Sequence, residues 1–346
     1  MTMRIVMGHV DHYDEDTAKF ALQLGLKGVQ LHNPDNLPAD KGYWAKEDVC
    51  ALKVRCEADG LTLEGLENVP VESFNLVQRG APGRDEQIEK YQVTIKNLGA
   101  AGVPVLGYNF LPGYVWRTEM EALGRGGARV TTFDLSREAE GNALTGYKLA
   151  PDMGDIGSLT EAHLWESHQY FLDAVLPVAE AAGVRLALHP DDPPVKGPLG
   201  GYTRILTTPA ALRRAHEQAG GSHAWGLNLC LGTVSEMGGA EAVHEVIDYF
   251  GPRGAICCVH FRDVHGTVPK FEECFLGEGN LRVPDVLRQL SDVGFDGFII
   301  DDHVPAMVAD KGTWGDISSE AYCSRGRAYA IGYLQGALEA GSGLHT

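Results

Sequence analysis

The sequence of 346 residues lacks several features that would place it in other protein classes. It has no run of eighteen apolar residues, which a membrane-spanning helix needs, and its start lacks the basic-then-apolar layout of a signal peptide. Its seven cysteines are an odd number scattered along the chain, unlike the disulfide framework of a small secreted domain. We therefore expect a soluble, cytoplasmic protein that does not bind a membrane.

Basic residues are scarce relative to acidic ones. The 29 lysines and arginines face 47 acids, which gives a net charge of −18. This balance argues against nucleic acid or an anionic membrane as the main partner. An anionic substrate would need a local cation at its site, and a bound metal is one way to supply it. The chain also lacks a glycine-rich nucleotide loop, so we expect no nucleotide cofactor.

What the sequence does contain is an alternation of short apolar runs with longer amphipathic segments, typical of βα units. The predicted strands are Arg4–Val10, Gly28–His32, Leu61–Leu66, Val103–Asn109, Arg185–His189, Gly226–Cys230, Ile256–Phe261 and Gly297–Asp301. Eight strands followed by helices indicate a (β/α)8 TIM barrel, with residues 1–346 as one domain. A doubly wound open sheet is the alternative.

The segment from residue 111 to 160 interrupts this rhythm, because it has many glycines and no clean period. In a barrel it would be an insertion after the fourth strand, on the catalytic face. Long loops in compact domains are commonly functional lids or disordered segments. We expect a substrate-covering lid, with a plain insertion or a subunit contact as the alternatives.

The fifth to eighth predicted strands end in side chains that bind metals or protons. These are His189 in RLALH, Cys230 in LNLC, His260 in CCVHF, and Asp301, Asp302 and His303 in IIDDH. Barrel enzymes build their sites at the C-terminal ends of the strands, so these side chains should converge. An imidazole, a thiolate, a second imidazole and a carboxylate suit a divalent transition metal such as zinc, iron(II) or manganese.

Each of these residues also has a structural interpretation. A single histidine at a strand end is commonly a hydrogen-bonded structural residue, and Cys230 alone would fill a small buried space. Cys257 and Cys258, inside the seventh strand, are assigned to the core. Asp191 and Asp192 could cap a helix or hold the turn HPDDPP. The recurrence of ligand types at one level of four successive strands favours the metal site.

Other polar residues are expected near the same rim. They are His9, His32, Glu67, Asn68, Asn109, Arg117, Tyr202, Arg262 and, around the start of the last helix, Tyr322 and Arg325. His9 and His32 would bind substrate hydroxyls or brace loops. Asn109 and Arg262 are predicted to contact substrate. Arg117 is either the cation for a substrate carboxylate or an exposed arginine of the insertion.

Four motifs, LALHPDDPP, LNLCLGT, VHFRDV and GFDGFIIDDH, occur in an order that resembles the mannonate dehydratases. The stretch from ENVPVESFNLV to LGYNFLP resembles the same family, and the similarity runs from about Leu61 to the last helix. The resemblance implies a xylose-isomerase-like TIM barrel and a divalent metal, usually manganese or iron(II). It also implies the dehydration of D-mannonate to 2-keto-3-deoxy-D-gluconate.

Carried over by motif, the family's metal ligands correspond to His189, Cys230, His260 and Asp302. The histidine that follows corresponds to His303, a candidate proton donor or acceptor. Loss of water needs both a base and an acid, so we expect Asp191 or Tyr322 to act with it.

The last strand departs from the family pattern Arg-Pro-Asp-His-Gly-Arg. Ile300 and Asp301 stand at its first two positions, and Val304 and Pro305 at its last two. Two cations are therefore missing. If those arginines hold the substrate carboxylate in the family, we expect this protein to prefer another sugar acid or an uncharged sugar. A metal-dependent epimerase, isomerase or other lyase is the alternative activity; a non-catalytic binder is disfavoured because all four ligands remain. We expect a homo-oligomer.

Overall fold

The computed structural model describes residues 3–113, 115–145, 148–149, 159–310 and 324–342. In chain order the strands are β1 (Arg4–Val10), β2 (Gly28–His32), β3 (Thr62–Glu67), β4 (Val105–Asn109), β5 (Val115–Arg117), β6 (Glu119–Leu123), β7 (Arg129–Asp134), β8 (Asn142–Thr145), β9 (Lys148–Leu149), β10 (Arg185–His189), β11 (Trp225–Cys230), β12 (Ile256–Phe261), β13 (Asp263–Thr267), β14 (Lys270–Cys274) and β15 (Phe298–Asp301). The helices are α1 (Glu15–Gln23), α2 (Lys46–Ala58), α3 (Asn75–Gln78), α4 (Arg84–Ala101), α5 (Glu161–Ala182), α6 (Pro209–Gln218), α7 (Leu231–Phe250), α8 (Val283–Asp292) and α9 (Ser324–Ser342).

Eight parallel strands form a closed barrel in the order β1-β15-β12-β11-β10-β4-β3-β2. Closure of this ring confirms the predicted TIM barrel and excludes the doubly wound open sheet, which would have two edges. The pairing register matters for the site, since Cys230 lies opposite His260 and His189 lies opposite Asn109. Side chains that end different strands are thus brought to one rim.

Local sequence signals account for most element boundaries. Strands β1, β2, β10 and β12 have the predicted bounds, because continuous apolar runs suit strands covered on both faces. Helices α4 and α5 end at Gly102 and Gly183, whose φ angles of +73° and +67° a glycine adopts without strain. Thr208 caps α6 by accepting a hydrogen bond from the backbone of Ala211, as predicted.

Helix α7 begins at Leu231 and is kinked at the glycine pair at positions 238 and 239. Its N-cap is Cys230, whose sulfur accepts a hydrogen bond from the backbone N–H of Thr233 at 3.5 Å. The predicted ligand therefore lies at a helix N-terminus, where a negatively charged sulfur is stabilised.

The segment from 111 to 160 contains strands, which its composition did not indicate. Strands β6 and β7 form an antiparallel sheet with β14 and β13, in the order β13-β14-β7-β6, while β5, β8 and β9 form another. The hairpin β13–β14 follows the seventh barrel strand and was also missed. The expectation of an aperiodic loop was wrong, because the strand partner of β7 lies far along the chain and local periodicity is weak there. The lid role stays a prediction.

A separate apolar cluster made only of barrel-strand residues fills the barrel interior below the site. It comprises Val6, Val105, Ala187, Cys257, Cys258, Phe298 and Ile300. The core assignment of Cys257 and Cys258 is confirmed. Ile300 stands at the position where the family pattern that the sequence resembles has an arginine. Its side chain packs directly on Gly8, since a Cβ added to Gly8 would lie only 2.2 Å from the Cβ of Ile300. The floor of the site is thus apolar and closely packed.

Candidate active site

Two of the predicted metal ligands, Cys230 and His260, lie near a third, Asp302, at the C-terminal rim. The sulfur of Cys230 lies 3.8 Å from Oδ2 of Asp302, and Nδ1 of His260 lies 4.0 Å from the same oxygen. The ring of His189 lies beside that of His260, with the ring centroids 5.3 Å apart. Two ligands of one metal ion lie about 3.4 to 4.6 Å apart when each bond is 2.1 to 2.3 Å long. The distances from Asp302 to Cys230 and to His260 fall within that range.

Neighbouring groups fix the orientation of the two imidazoles. His189 donates from Nδ1 to the carbonyl oxygen of Pro190 at 2.7 Å, which leaves its Nε2 with a lone pair. His260 has Nε2 3.1 Å from a carboxylate oxygen of Glu67, while its buried Nδ1 has no hydrogen-bond partner among the described residues. Metal-binding histidines typically donate their other N–H to a carboxylate or carbonyl. Glu67, named in the sequence only as a rim residue, therefore orients the predicted ligand His260.

The charge state of these groups supports the fit to a divalent cation. Burial raises the pKa of Asp302 to about 7, and the nearby thiol of Cys230 adds to this shift. Burial likewise raises the pKa of Cys230. Oδ1 of Asp302 is buried without a hydrogen-bond partner. A nitrogen, sulfur, nitrogen and oxygen donor set that is buried and partly unsatisfied suits a divalent transition metal.

The opposite face of Asp302 meets two further histidines. Nε2 of His9 lies 3.6 Å from Oδ1 of Asp302, and Nε2 of His303 lies 3.4 Å from it. Within the described residues, these three form the group whose ligand atoms all lie within 4.8 Å of one another. His9 and His303 have φ angles of +53° and +40°, a strained backbone for residues other than glycine. Such strain is commonly stored at functional sites.

His303 occupies a buried position between two acids. Its Nδ1 lies 2.6 Å from Oε1 of Glu273, and its Nε2 faces Asp302. Burial and the cations Arg262 and Arg117 lower its pKa well below the usual value. The imidazole is therefore neutral near pH 7, as a group that accepts a proton must be.

Arg117 differs from its expected role as a substrate cation. Its side chain is 0% exposed and makes a bidentate ion pair with Asp192, at 2.7 and 2.9 Å. It also donates to Glu273 at 2.8 Å, to Thr131 and to the carbonyl oxygen of Trp116. Because these contacts use all five N–H groups, Arg117 holds acids in place and offers no donor to a substrate carboxylate.

Arg262, also predicted to bind substrate, is buried in the same network. It pairs with Glu236 and Asp192 at 2.7 Å each and with Glu273 at 3.3 Å. Its Nε lies 3.3 Å from Oδ2 of Asp302. Arg262 therefore places its positive charge next to the carboxylate of the predicted ligand Asp302. This position favours an electrostatic effect on that carboxylate over direct contact with substrate.

Asp191, an expected acid or base, lies outside this cluster of reactive groups. Its Oδ2 accepts hydrogen bonds from the backbone N–H groups of Ile205 and Leu206, at 2.8 and 2.9 Å. Burial raises the pKa of Asp191. The structure thus favours the turn-holding alternative over catalysis, since the carboxylate fixes the loop that follows HPDDPP.

The last helix gives a mixed outcome. Tyr322 lies outside the described residues, and its catalytic role stays a prediction. Arg325 is exposed and donates to the carbonyl oxygen of Val308, so it does not point inward as expected. Arg327, which was not singled out, is buried and pairs with Asp301 at 3.1 Å. The added acid of the last strand therefore anchors α9 to the barrel.

The polar residues at the ends of β2, β3 and β4 form a directed chain of hydrogen bonds. Gln78 donates to Oδ1 of Asn109 at 3.0 Å, Asn109 donates to Asn68 at 3.1 Å, and Asn68 lies 3.2 Å from Nε2 of His32. This direction leaves the proton of His32 on Nδ1, which is buried and has no hydrogen-bond partner in the part of the chain that the structure describes. The half-buried Asn109 and this N–H of His32 suit recognition of substrate hydroxyls.

Sequence reasoning missed Glu273, Glu236 and the ion-pairing role of Asp192. A weak signal existed for Glu273, because the alternation in KFEEC places it on the same strand face as the buried Phe271. A charged residue on an otherwise apolar face indicates a buried partner. No local pattern identifies that partner, which lies 30 residues away at His303.

None of the helices within the described ranges has the length and apolar composition that a membrane crossing would require. The six cysteines in those ranges are free.

Comparisons with known proteins agree with this geometry. The family model D-mannonate dehydratase (UxuA) matches residues 16–344. Mannonate dehydratase 2 of Halalkalibacterium halodurans is 30% identical over 356 residues, covering 98% of this chain and 99% of the relative. A mannonate dehydratase of Thermotoga neapolitana is 32% identical over 324 residues, with 86% of each chain covered.

Solved structures extend the likeness to three dimensions. The crystal structure of mannonate dehydratase from Streptococcus suis serotype 2 has a TM-score of 0.82 and 27% identity, covering 99% of this chain and 96% of that one. An L-ribulose 3-epimerase, at 16% identity and a TM-score of 0.59, shares the fold alone. The fold, the site and the sequence matches lead to one conclusion: this chain belongs to the D-mannonate dehydratase family, whose members are hydro-lyases of sugar acids.

Proposed function

We propose that this protein dehydrates D-mannonate to 2-keto-3-deoxy-D-gluconate, with a divalent metal held by His189, Cys230, His260 and Asp302. The chain is a metal-dependent lyase by family; the particular substrate and the ligand set are the proposal. The observation that carries it is that Cys230 and His260 both face Oδ2 of Asp302, with the imidazole of His303 against the other oxygen of that carboxylate.

A bound divalent metal would stabilise the negative charge that builds on substrate oxygens when the C2 proton leaves. We propose manganese, with iron(II) and zinc as the alternatives, because a hard or borderline ion binds hydroxyl and carboxylate oxygens well. His189 and Cys230 would hold it from β10 and β11, and His260 and Asp302 from β12 and the end of β15.

His303 would exchange the proton. The carboxylate of Glu273 at Nδ1 leaves the lone pair on Nε2, so this nitrogen is the atom that accepts a proton from the substrate. The buried, closely packed surroundings keep bulk water from the ring. The group that protonates the departing C3 hydroxyl is proposed to be Tyr322, since the surroundings of Asp191 favour a structural role.

Substrate hydroxyls would be bound by the chain of polar residues across β2 to β4. Asn109 is half-buried at the rim, and Nδ1 of His32 has no hydrogen-bond partner among the described residues. His9 stacks on His32 at 4.4 Å between ring centroids and orients it. The side-chain amides and the imidazole of His32, whose pKa burial lowers to about 4, are neutral groups that suit recognition of hydroxyls.

The test replaces His303 by asparagine and measures formation of the 2-keto-3-deoxy acid from D-mannonate with manganese present. We expect kcat to fall by about 100-fold or more, the usual contribution of a positioned base, while bound metal stays the same. The matched control is His163→Asn on α5, whose imidazole contacts the carbonyl oxygen of Arg79. Near-normal turnover with full metal occupancy would remove His303 from the reaction, and activity only on a keto sugar would favour an epimerase or isomerase.

We also propose that the chain works as a homo-oligomer in the cytoplasm. The free cysteines fit a reducing compartment. Light scattering of the purified protein would give the subunit number, and a mass equal to one chain would contradict the proposal.

A further inference from the structure

Glu273 is a buried acid that reaches the site from outside the barrel strands. It lies on β14, in the hairpin that follows the seventh barrel strand, and is 2% exposed. Its two oxygens are both engaged: Oε1 is 2.6 Å from Nδ1 of His303, and Oε2 accepts a hydrogen bond from the hydroxyl of Thr131 at 2.7 Å. The carboxylate is therefore fixed in one orientation.

We propose that Glu273 is a positioning residue that keeps the proton of His303 on Nδ1, so that the lone pair on Nε2 can exchange a proton with the substrate. The inference rests on the proposed function of His303.

Two arginines contact the same oxygen of Glu273 that faces His303. Arg117 donates to Oε1 at 2.8 Å, and Nη1 of Arg262 lies 3.3 Å from the same oxygen. Because Oε1 already accepts a hydrogen bond from a guanidinium group, we assign the ring nitrogen 2.6 Å away as a second donor to it. The tautomer of His303 with the proton on Nδ1 follows from this contact.

The same contact supports the strained backbone of His303. Its φ of +40° is sparsely populated by residues other than glycine. Such a conformation persists only where the surroundings hold it, and the bond to Glu273 anchors the side chain that the strained backbone directs. Glu273 thus fixes both the direction of the ring and the position of its proton.

The network also gives the inserted segments a role in the site. Thr131 lies on β7 and Arg117 on β5, both within residues 111–160, while Glu273 belongs to the later hairpin. Strand β7 pairs with β14 through Phe133 opposite Phe271. Two insertions separated by more than a hundred residues therefore combine to orient one catalytic imidazole.

The test compares Glu273→Met and Glu273→Gln with Glu272→Gln, a control on the same strand whose side chain is half-exposed. Steady-state kinetics on D-mannonate give kcat and KM. Nitrogen-15 shifts of the histidine rings in the metal-free protein report the tautomer of His303, whose signal is assigned from its loss in His303→Asn.

For Glu273→Met we expect kcat to fall about 10- to 100-fold, as for other groups that orient a reactive residue, with KM changed less than about 3-fold. The nitrogen-15 shifts of His303 should differ from those of an imidazole whose proton is fixed on Nδ1. Glu273→Gln should recover part of kcat, because its amide oxygen can accept from Nδ1. Glu272→Gln should behave as the unaltered protein, and Glu273→Gln should add no loss to His303→Asn.

Unchanged ring shifts in a folded Glu273→Met protein would overturn the proposal, and so would an unchanged kcat. Equal losses in Met and Gln variants with an unchanged tautomer would reduce Glu273 to a structural residue and also overturn it. If Glu273→Met does not fold, the shifts and kinetics of Glu273→Gln decide in its place. If the unaltered enzyme does not turn over D-mannonate, the proposed function is refuted. The nitrogen-15 ring shifts then still test whether Glu273 sets the tautomer of His303.

Discussion

Asp191 and Asp192 are adjacent, buried acids whose carboxylates meet opposite surroundings. Asp192 lies between two guanidinium groups, 2.7 Å from Nη1 of Arg117 and 2.7 Å from Nη2 of Arg262. Burial alone would raise the pKa of Asp192, but the two arginines hold it well below the usual range. Asp191 meets two backbone N–H groups instead, and burial raises its pKa. Neutralising each acid should therefore give very different results.

We expect Asp192→Asn to lower the free energy of unfolding by about 3 kcal/mol at pH 7, since removing one partner of a buried ion pair costs about 3–5 kcal/mol. Glu236 offsets part of the loss. Burial raises its pKa to about 8, and the charge of Asp192 adds to that shift. Once Asp192 is neutral, Arg262, 2.7 Å from Glu236, favours the ionised form of Glu236. We therefore expect the loss in the free energy of unfolding to lie at the lower end of the range of about 3–5 kcal/mol.

The assay is urea unfolding of the metal-free full-length chain. The matched control, Asp191→Asn, should change the free energy of unfolding by no more than about 1 kcal/mol, because an amide oxygen still accepts the two backbone hydrogen bonds. Adding Glu236→Gln to Asp192→Asn removes the offset and should bring the loss to about 5 kcal/mol.

The pH dependence has a definite sign. The pKa of Asp192 in the folded state lies below its value of about 3.9 in the unfolded chain. Its contribution is therefore present above about pH 4 and is lost as the pH falls further, so the difference between Asp192→Asn and the unaltered protein should shrink at pH 3. A loss under about 1 kcal/mol at pH 7, within the range of an ordinary surface change, would refute the reasoning. A larger loss for Asp191→Asn would do the same.

Two further predictions concern the metal and the core. Cys230→Ala should weaken manganese binding by more than about 100-fold, because even groups that only orient metal ligands contribute about 10- to 100-fold to metal affinity. Metal analysis after dialysis tests this. The control is Cys50→Ala on α2, which should keep its metal. His168 has a pKa of about 4 because it is buried, against about 6.5 when unfolded, so its neutral form stabilises the fold above pH 6.5. About 3 kcal/mol of that contribution should be lost as the pH falls to 4. The free energy of unfolding, measured with urea, should therefore fall less steeply with falling pH in His168→Gln than in the unaltered protein. An equal pH dependence in both proteins would contradict this.

Much of the fold could be read from short-range patterns. A parallel strand covered on both faces needs a continuous apolar run, and that requirement is met within five to seven residues, as in β1 and β12. Helix ends carry their own signals, such as Thr208 at the start of α6. Once eight such strands alternate with helices, closure into a barrel places His189, Cys230 and His260 on one rim, because all parallel strands end there.

The roles of the charged residues around that rim depended on contacts that no local pattern encodes. The sequence alone determined which strands carry the donor side chains, since each donor ends its own apolar run. Only the tertiary structure decided that Arg117 is saturated by Asp192 and Glu273, 75 and 156 residues away, and that Glu273 faces His303. Ion pairs in a buried site are set by the packing of separate segments, and any acid of similar reach could have met the same arginine.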